Sequence, residues 1–219
     1  MFFKGIKMFK QHKAFTLAEV LITLGILGVV AAITIPVLNK QAQDVEYKTA
    51  YKKAFSDTSQ VFSQAIQEQS LTPRTGVWND LAATTSEWNA LKNGLKITKE
   101  CATTDLYSCW VDSDRVCTGA CGGNRPINNA TCSSFIDSAG RSWALYAGNQ
   151  NIFLVDTNGF KEPKKFGKDR WMFTLFDEKN TSITNGFPAK VGIYQGADQT
   201  VQTDWCNYPP CYYKSWLFN

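Results

Sequence analysis

Between Phe15 and Leu38 the chain is apolar, with one interruption, Glu19. A helix over this run is roughly 36 Å long at 1.5 Å per residue, enough to cross a bilayer. From Leu38 onward the pattern becomes amphipathic. Val45, Tyr51, Phe55, Thr58, Phe62 and Ile66, with Ala54 and Ala65, recur at three- and four-residue steps. Lys40, Asp44, Glu46, Lys48, Lys52, Lys53 and Asp57 fill the other side. No Gly or Pro lies between Asn39 and Leu71. The pattern therefore predicts one helix from about Phe15 to Gln69, roughly 80 Å long by its rise. Pro36 removes one backbone donor inside it and is expected to bend or loosen it.

Beyond Gln69 the punctuation changes. Thr72-Pro73-Arg74-Thr75-Gly76 breaks the helix. A short helix is expected over Ser86–Asn93, with Trp88, Leu91 and Leu95 as its apolar side and Gly94 as its stop. Cys101 to Thr131 reads as a loop-rich stretch. Strands are expected over Arg141–Ala147, Ile152–Asp156, Trp171–Phe176 and Val191–Tyr194. Gly148 to Asn151 and Asn158-Gly159 supply turns. Short strands joined by turns predict an antiparallel meander packed on the long helix, an α+β fold.

Charge adds a direction. The net charge is +4, and Lys4, Lys7, Lys10 and Lys13 ahead of the apolar run account for all of it. Lysines before a membrane span favour the cytoplasmic side, so the body is expected outside the cytoplasm. The neutral body lacks the basic face that general nucleic-acid binding needs. The basic run Lys161, Lys164, Lys165, Lys168 and Arg170 is read first as a solvated loop.

The chain has seven cysteines, an odd number: Cys101, Cys109, Cys117, Cys121, Cys132, Cys206 and Cys211. In an exported domain they are disulfide candidates, with at least one left over. Cys206 and Cys211 flank a Pro-Pro turn and are the preferred pair. Paired CxxC units are missing, which disfavours a four-cysteine zinc site. The only histidine, His12, lies in the basic prefix. The body thus lacks the histidine that a Ser-His-Asp or Cys-His catalytic arrangement requires. An enzyme is not expected.

The junction Ala14-Phe15-Thr16-Leu17-Ala18-Glu19-Val20 carries a resemblance. It is similar to the prepilin leader junction of type IV pilins and type II secretion pseudopilins, usually Gly-Phe-Thr-Leu-Ile-Glu. Pro36 also stands where many such pilins carry a helix proline. Ala14 replaces the usual glycine, and Ala18 a larger apolar residue. The resemblance implies cleavage between Ala14 and Phe15 by a prepilin peptidase and N-methylation of Phe15. It implies that Glu19 meets the terminal amine of a neighbouring subunit during assembly. An unpaired carboxylate in a membrane costs a few kcal/mol, which gives such pairing a driving force. The competing scheme is a secretory signal peptide cut near Val30-Ala31-Ala32.

The resemblance gives the expected layout. Residues 1–14 are a leader, 15–69 a spine helix whose first half lies in the membrane, and 70–219 an extracytoplasmic head. Expected partners are the prepilin peptidase, other pilin subunits and an inner-membrane assembly platform. The leading function is a structural subunit of a type IV pilus or pseudopilus. The alternative is a minor tip pilin that binds DNA, glycan or a surface, with the aromatic end Trp205 to Phe218 as a contact region. No cofactor is expected, with one reservation. Asp156, Asn158 and Asp169 lie in a stretch similar to one where some pseudopilins bind calcium. Asp-x-Asn-Gly is also good turn chemistry, and the turn reading carries more weight.

Overall fold

The computed structural model describes residues 15–68, 71, 81–101, 108–110, 133–147, 151–177, 189–193, 197–202, 206 and 209–218. The expected leader, Cys117, Cys121, Cys132, Trp205 and the 148–150 turn lie outside the described residues. In chain order the elements are α1 (Leu17–Gln67), α2 (Leu81–Gly94), β1 (Ile97–Cys101), β2 (Ser133–Asp137), β3 (Ser142–Ala147), β4 (Asn151–Asp156), β5 (Arg170–Asp177), β6 (Ala189–Ile193) and α3 (Lys214–Phe218). The chain divides into two compact units between Gln43 and Asp44.

In the first unit α1 is apolar on all sides as far as Leu38, apart from Glu19 and its threonines. Every large apolar side chain from Phe15 to Leu38 is exposed. The helix continues through Pro36.

In the second unit the remaining turns of α1 bury Tyr51, Ala54, Thr58, Phe62 and Ala65. Phe55 and Ile66 are partly buried beside them. Val45, placed on the same face by the sequence reading, is instead 64% exposed. It precedes Tyr51 by six residues, which puts it about 120° away around the helix.

This face packs on a six-stranded antiparallel meander, β1 to β6 in sequence order. Aromatic rings make the contact. Tyr51 stacks on Trp171 with centroids 3.6 Å apart, Phe62 meets Phe153 at 5.5 Å, and Phe55 meets Phe173 edge-on at 5.6 Å. Such pairs add about 0.5–1.5 kcal/mol each beyond the area they bury. α2 adds Trp88 against Phe135, centroids 4.9 Å apart. Gly94 closes α2 where a β-carbon would collide with Val61 of α1. This is the pilin-like α+β arrangement expected from the sequence.

The sheet is wider than expected, because β1 and β2 fall in stretches with no clean alternation. β1 holds a run of exposed polar residues, and β2 opens on two serines. Ser134 is nevertheless fully buried. The reason is that both sheet faces are covered. Phe135, Trp143, Val155 and Trp171 form one cross-strand row on the α1 side. Ser134, Ala144, Leu154 and Met172 form a row on the other side, and all four are buried. Strands buried on both faces lose the period-two pattern that marks them in a sequence. α2 also begins earlier than its expected start at Ser86.

Disulfides join Cys101 to Cys109 and Cys206 to Cys211. The second sits against Gly167, where any β-carbon would overlap Cys211.

Candidate functional site

The amino-terminal turn of α1 is a closed hydrogen-bond ring. The Thr16 amide and the Thr16 hydroxyl both donate to Glu19 Oε2 at 2.8 Å. The Glu19 amide donates back to Thr16 Oγ1 at 3.2 Å. This is a capping box, in which an N-cap Thr and a Glu three residues later satisfy each other's backbone donors. It holds the only carboxylate of the apolar run at the helix start, where the helix dipole favours negative charge. The two threonines inside the run also turn inward on their own helix. Thr23 donates to the Glu19 carbonyl, and Thr34 to the Val30 carbonyl at 2.9 Å. From Phe15 to Leu38 the helix therefore presents an apolar surface on which Thr16, Glu19, Thr23 and Thr34 are hydrogen-bonded within the helix. Soluble monomers rarely expose contiguous apolar surface beyond a few hundred Å². α1 is long and apolar enough to cross a membrane.

The spacing Thr16-x-x-Glu19 ahead of an apolar run is a helix-start signature, and it is missing from the expectations above.

In the head, the turn residues Asp156, Asn158 and Asp169 lie in one corner, but most of their oxygens serve the fold. Asp156 pairs with Arg170 across β4 and β5, with Oδ2 accepting from Arg170 Nε at 2.8 Å. Both side chains are 1% exposed. Burial raises the Asp156 carboxyl above the usual range, and Arg170 pulls it back. Trp110 covers the Arg170 guanidinium, 4.8 Å from ring centroid to carbon. The Asp169 oxygens accept the amides of Lys164 and Lys165, both at 2.6 Å. These bonds hold a loop in which Lys164 sits at φ +51°, the left-handed region. Asparagine tolerates this backbone better than lysine. The Asn158 amide nitrogen donates to the Glu162 carbonyl at 3.1 Å. Among the described residues, no group of three or more His, Cys, Asp or Glu is arranged to hold a metal ion.

The expected basic loop is partly dismantled by this packing. Arg170 is buried on Asp156, and Lys164 is mostly buried, reaching Glu162 at 3.1 Å. Arg170 is inside because β5 starts at that residue and turns it to the face opposite Trp171.

A second buried network was not legible in sequence. Arg141 donates through Nε to Asp137 at 2.6 Å and through Nη1 to Asp57 of α1 at 2.8 Å. Trp143 Nε1 completes it on Asp137 at 2.9 Å. It ties the β2–β3 turn to α1. At the chain end, Tyr213 and Trp216 pack on Trp171, so these members of the aromatic end are core. Phe218 remains exposed.

Perturbed carboxylates often mark active sites. Here Asp156 and Asp169 face an arginine and backbone amides. These contacts hold the turns and strands together.

Residues 9–35 match the family model of the prokaryotic N-terminal methylation motif. They carry the prepilin-type cleavage and methylation segment of pilins and pseudopilins. The match covers the leader junction and the first turns of α1 and no part of the head. No curated protein and no solved structure matches the chain.

Proposed function

We propose that the chain is a structural subunit of a type IV pilus or a type II secretion pseudopilus. Prepilin peptidase removes residues 1–14 by cutting between Ala14 and Phe15. Phe15 is then methylated, and the protein waits in the cytoplasmic membrane as a single-pass precursor. Residues 15–69 are the assembly helix, and 70–219 are the extracytoplasmic head. Polymerisation on an inner-membrane platform transfers the apolar helix from lipid to a bundle of like helices.

The observation that carries this reading is the start of α1. The helix begins within two residues of Phe15, with the one carboxylate of its apolar run fixed in the first turn by Thr16. A new amino group on Phe15 would stand one residue from that cap. Glu19 then has two partners in succession: its own helix start, and the amine of a neighbour. A charge pair formed in an apolar bundle fixes stagger, because a mismatched carboxylate there stays unpaired. The absence of histidine from the body supports a structural role over a catalytic one.

Mass spectrometry of the mature protein tests the reading. The expected chain begins at Phe15 and carries one methyl group. A mature start at Ile33, or a retained Met1, overturns it.

A further inference from the structure

The sheet face turned away from α1 carries a charge pair and is closed to water. Cys101, Ser134, Ala144, Leu154 and Met172 stand across it in one row, strand by strand. Asp156 and Arg170 lie on the same face, two residues from Leu154 and Met172. All of these side chains are buried.

Cys109 and Trp110 supply part of the cover. Cys109 is fully buried and disulfide-bonded to Cys101, with Cα atoms 5.9 Å apart. Trp110 follows it, is 2% exposed, and lies over the Arg170 guanidinium at 4.8 Å. The disulfide therefore fixes the chain to β1, at the sheet edge, while the next side chain along closes over the first residue of β5. Beside the disulfide, an exposed bond from Lys99 Nζ to the Ser108 carbonyl, 3.1 Å long, adds little, because water competes for both groups.

Trp110 gains from burial and from the charge beneath it, but ordering the excursion between Cys101 and Cys109 opposes both. The cross-link reduces that opposition, because it confines the loop before the ring docks. The ring in turn keeps water from the guanidinium, and the attraction between Arg170 and Asp156 is strongest where water is excluded.

We infer that the Cys101–Cys109 disulfide is a folding latch, whose closure seats Trp110 on Arg170 and seals the Asp156–Arg170 pair from water. Closure is a thiol–disulfide exchange. The two cysteine thiols lose two electrons and two protons to a disulfide oxidant, which leaves as two thiols. The latch closes in an oxidising compartment and stays open where thiols are kept reduced. Once closed it resists reduction, since both sulfurs are buried. The inference concerns the head alone and stands or falls separately from filament formation.

Hydrogen exchange read by mass spectrometry tests it on the full chain in detergent. Two variants open the latch in different ways: Cys101→Ser/Cys109→Ser removes the cross-link, and Trp110→Ala removes the ring. In both, residues 153–158 and 166–172 are expected to exchange about tenfold faster than in the parent, the scale of one buried cation–π contact. The variant combining all three substitutions should exchange no faster than either. Residues 51–65 of α1 are the reference and should not change. Four results would overturn the inference. Either variant exchanges like the parent around Asp156 and Arg170, the combined variant adds the two effects, or the α1 reference accelerates equally, which would mean support of the whole head. The fourth is a non-reduced digest of the exported protein in which Cys101 and Cys109 are not linked.

Discussion

Tyr51 of α1 donates its phenolic hydrogen to the backbone carbonyl of Tyr213, 2.9 Å away and 162 positions later in the chain. The bond is buried, and the same ring stacks on Trp171. One side chain therefore joins the long helix, the fifth strand and the carboxy-terminal segment.

Removing only the hydroxyl should expose the value of that link. Tyr51→Phe keeps the stack and removes one buried hydrogen bond to the Tyr213 carbonyl. The expected loss is about 0.5–1.5 kcal/mol. Tyr51→Ala also removes the ring and should cost about 3–5 kcal/mol. Denaturant titration of both variants checks the order. Equal losses would mean the ring contributes nothing, and no loss in Tyr51→Phe would mean the hydroxyl contributes nothing.

The Asp156–Arg170 pair should behave as a buried couple. Asp156→Leu or Arg170→Met alone breaks the buried pair and should cost about 3–5 kcal/mol. The double variant Asp156→Leu/Arg170→Met should recover most of that loss, because two apolar side chains need no counter-charge. A double-mutant cycle by thermal unfolding measures the recovery. Additive losses would contradict the coupling.

Lys164→Asn should raise the melting temperature slightly. The left-handed backbone at Lys164 disfavours most side chains by roughly 1–2 kcal/mol, and asparagine recovers part of this. The amide that binds Asp169 is retained, since it belongs to the backbone. A clear drop on calorimetry would show that the buried lysine stem matters more than the backbone.

Asp198 gives a pH signature. Its Oδ1 accepts the amides of Lys214 and Ser215 and so caps α3. Burial pushes its carboxyl up, but hydrogen bonds from Ser215, Lys214 and Tyr213 outweigh that and hold it below its usual value. A lowered carboxylate stabilises the fold above its unfolded value of 3.8, and that stabilisation is lost as pH falls through the folded value. Asp198→Ala should therefore cost about 0.5–2 kcal/mol at neutral pH. The gap between variant and parent should close in strong acid. A gap independent of pH would rule out the charged cap.

At the assembly end, Thr16 and Glu19 separate two roles. Glu19→Ala is expected to insert into the membrane normally and to enter filaments poorly. Thr16→Val removes the hydroxyl that orients the carboxylate while leaving the charge, so it should give a milder assembly defect, rescued by Thr16→Ser. Membrane fractionation and sheared-filament yield read the two steps. Normal incorporation of Glu19→Ala would remove the charge-pair mechanism.

The sequence by itself determined whatever rests on spacing along one helix. The apolar run from Phe15, its single carboxylate, the Thr16-x-x-Glu19 cap and the three-four stripe from Tyr51 to Ala65 are all local periodicities, and local periodicity survives folding unchanged. The later strands were legible for the same reason, since turns bound them. Only the tertiary structure decided which polar residues go inside. Ser134 and Arg170 are buried because the sheet is covered on both faces, and Arg141 is buried because Asp57 of a distant helix meets it. Those outcomes depend on contacts between residues far apart in the chain. No single stretch of sequence contains the energy that makes them.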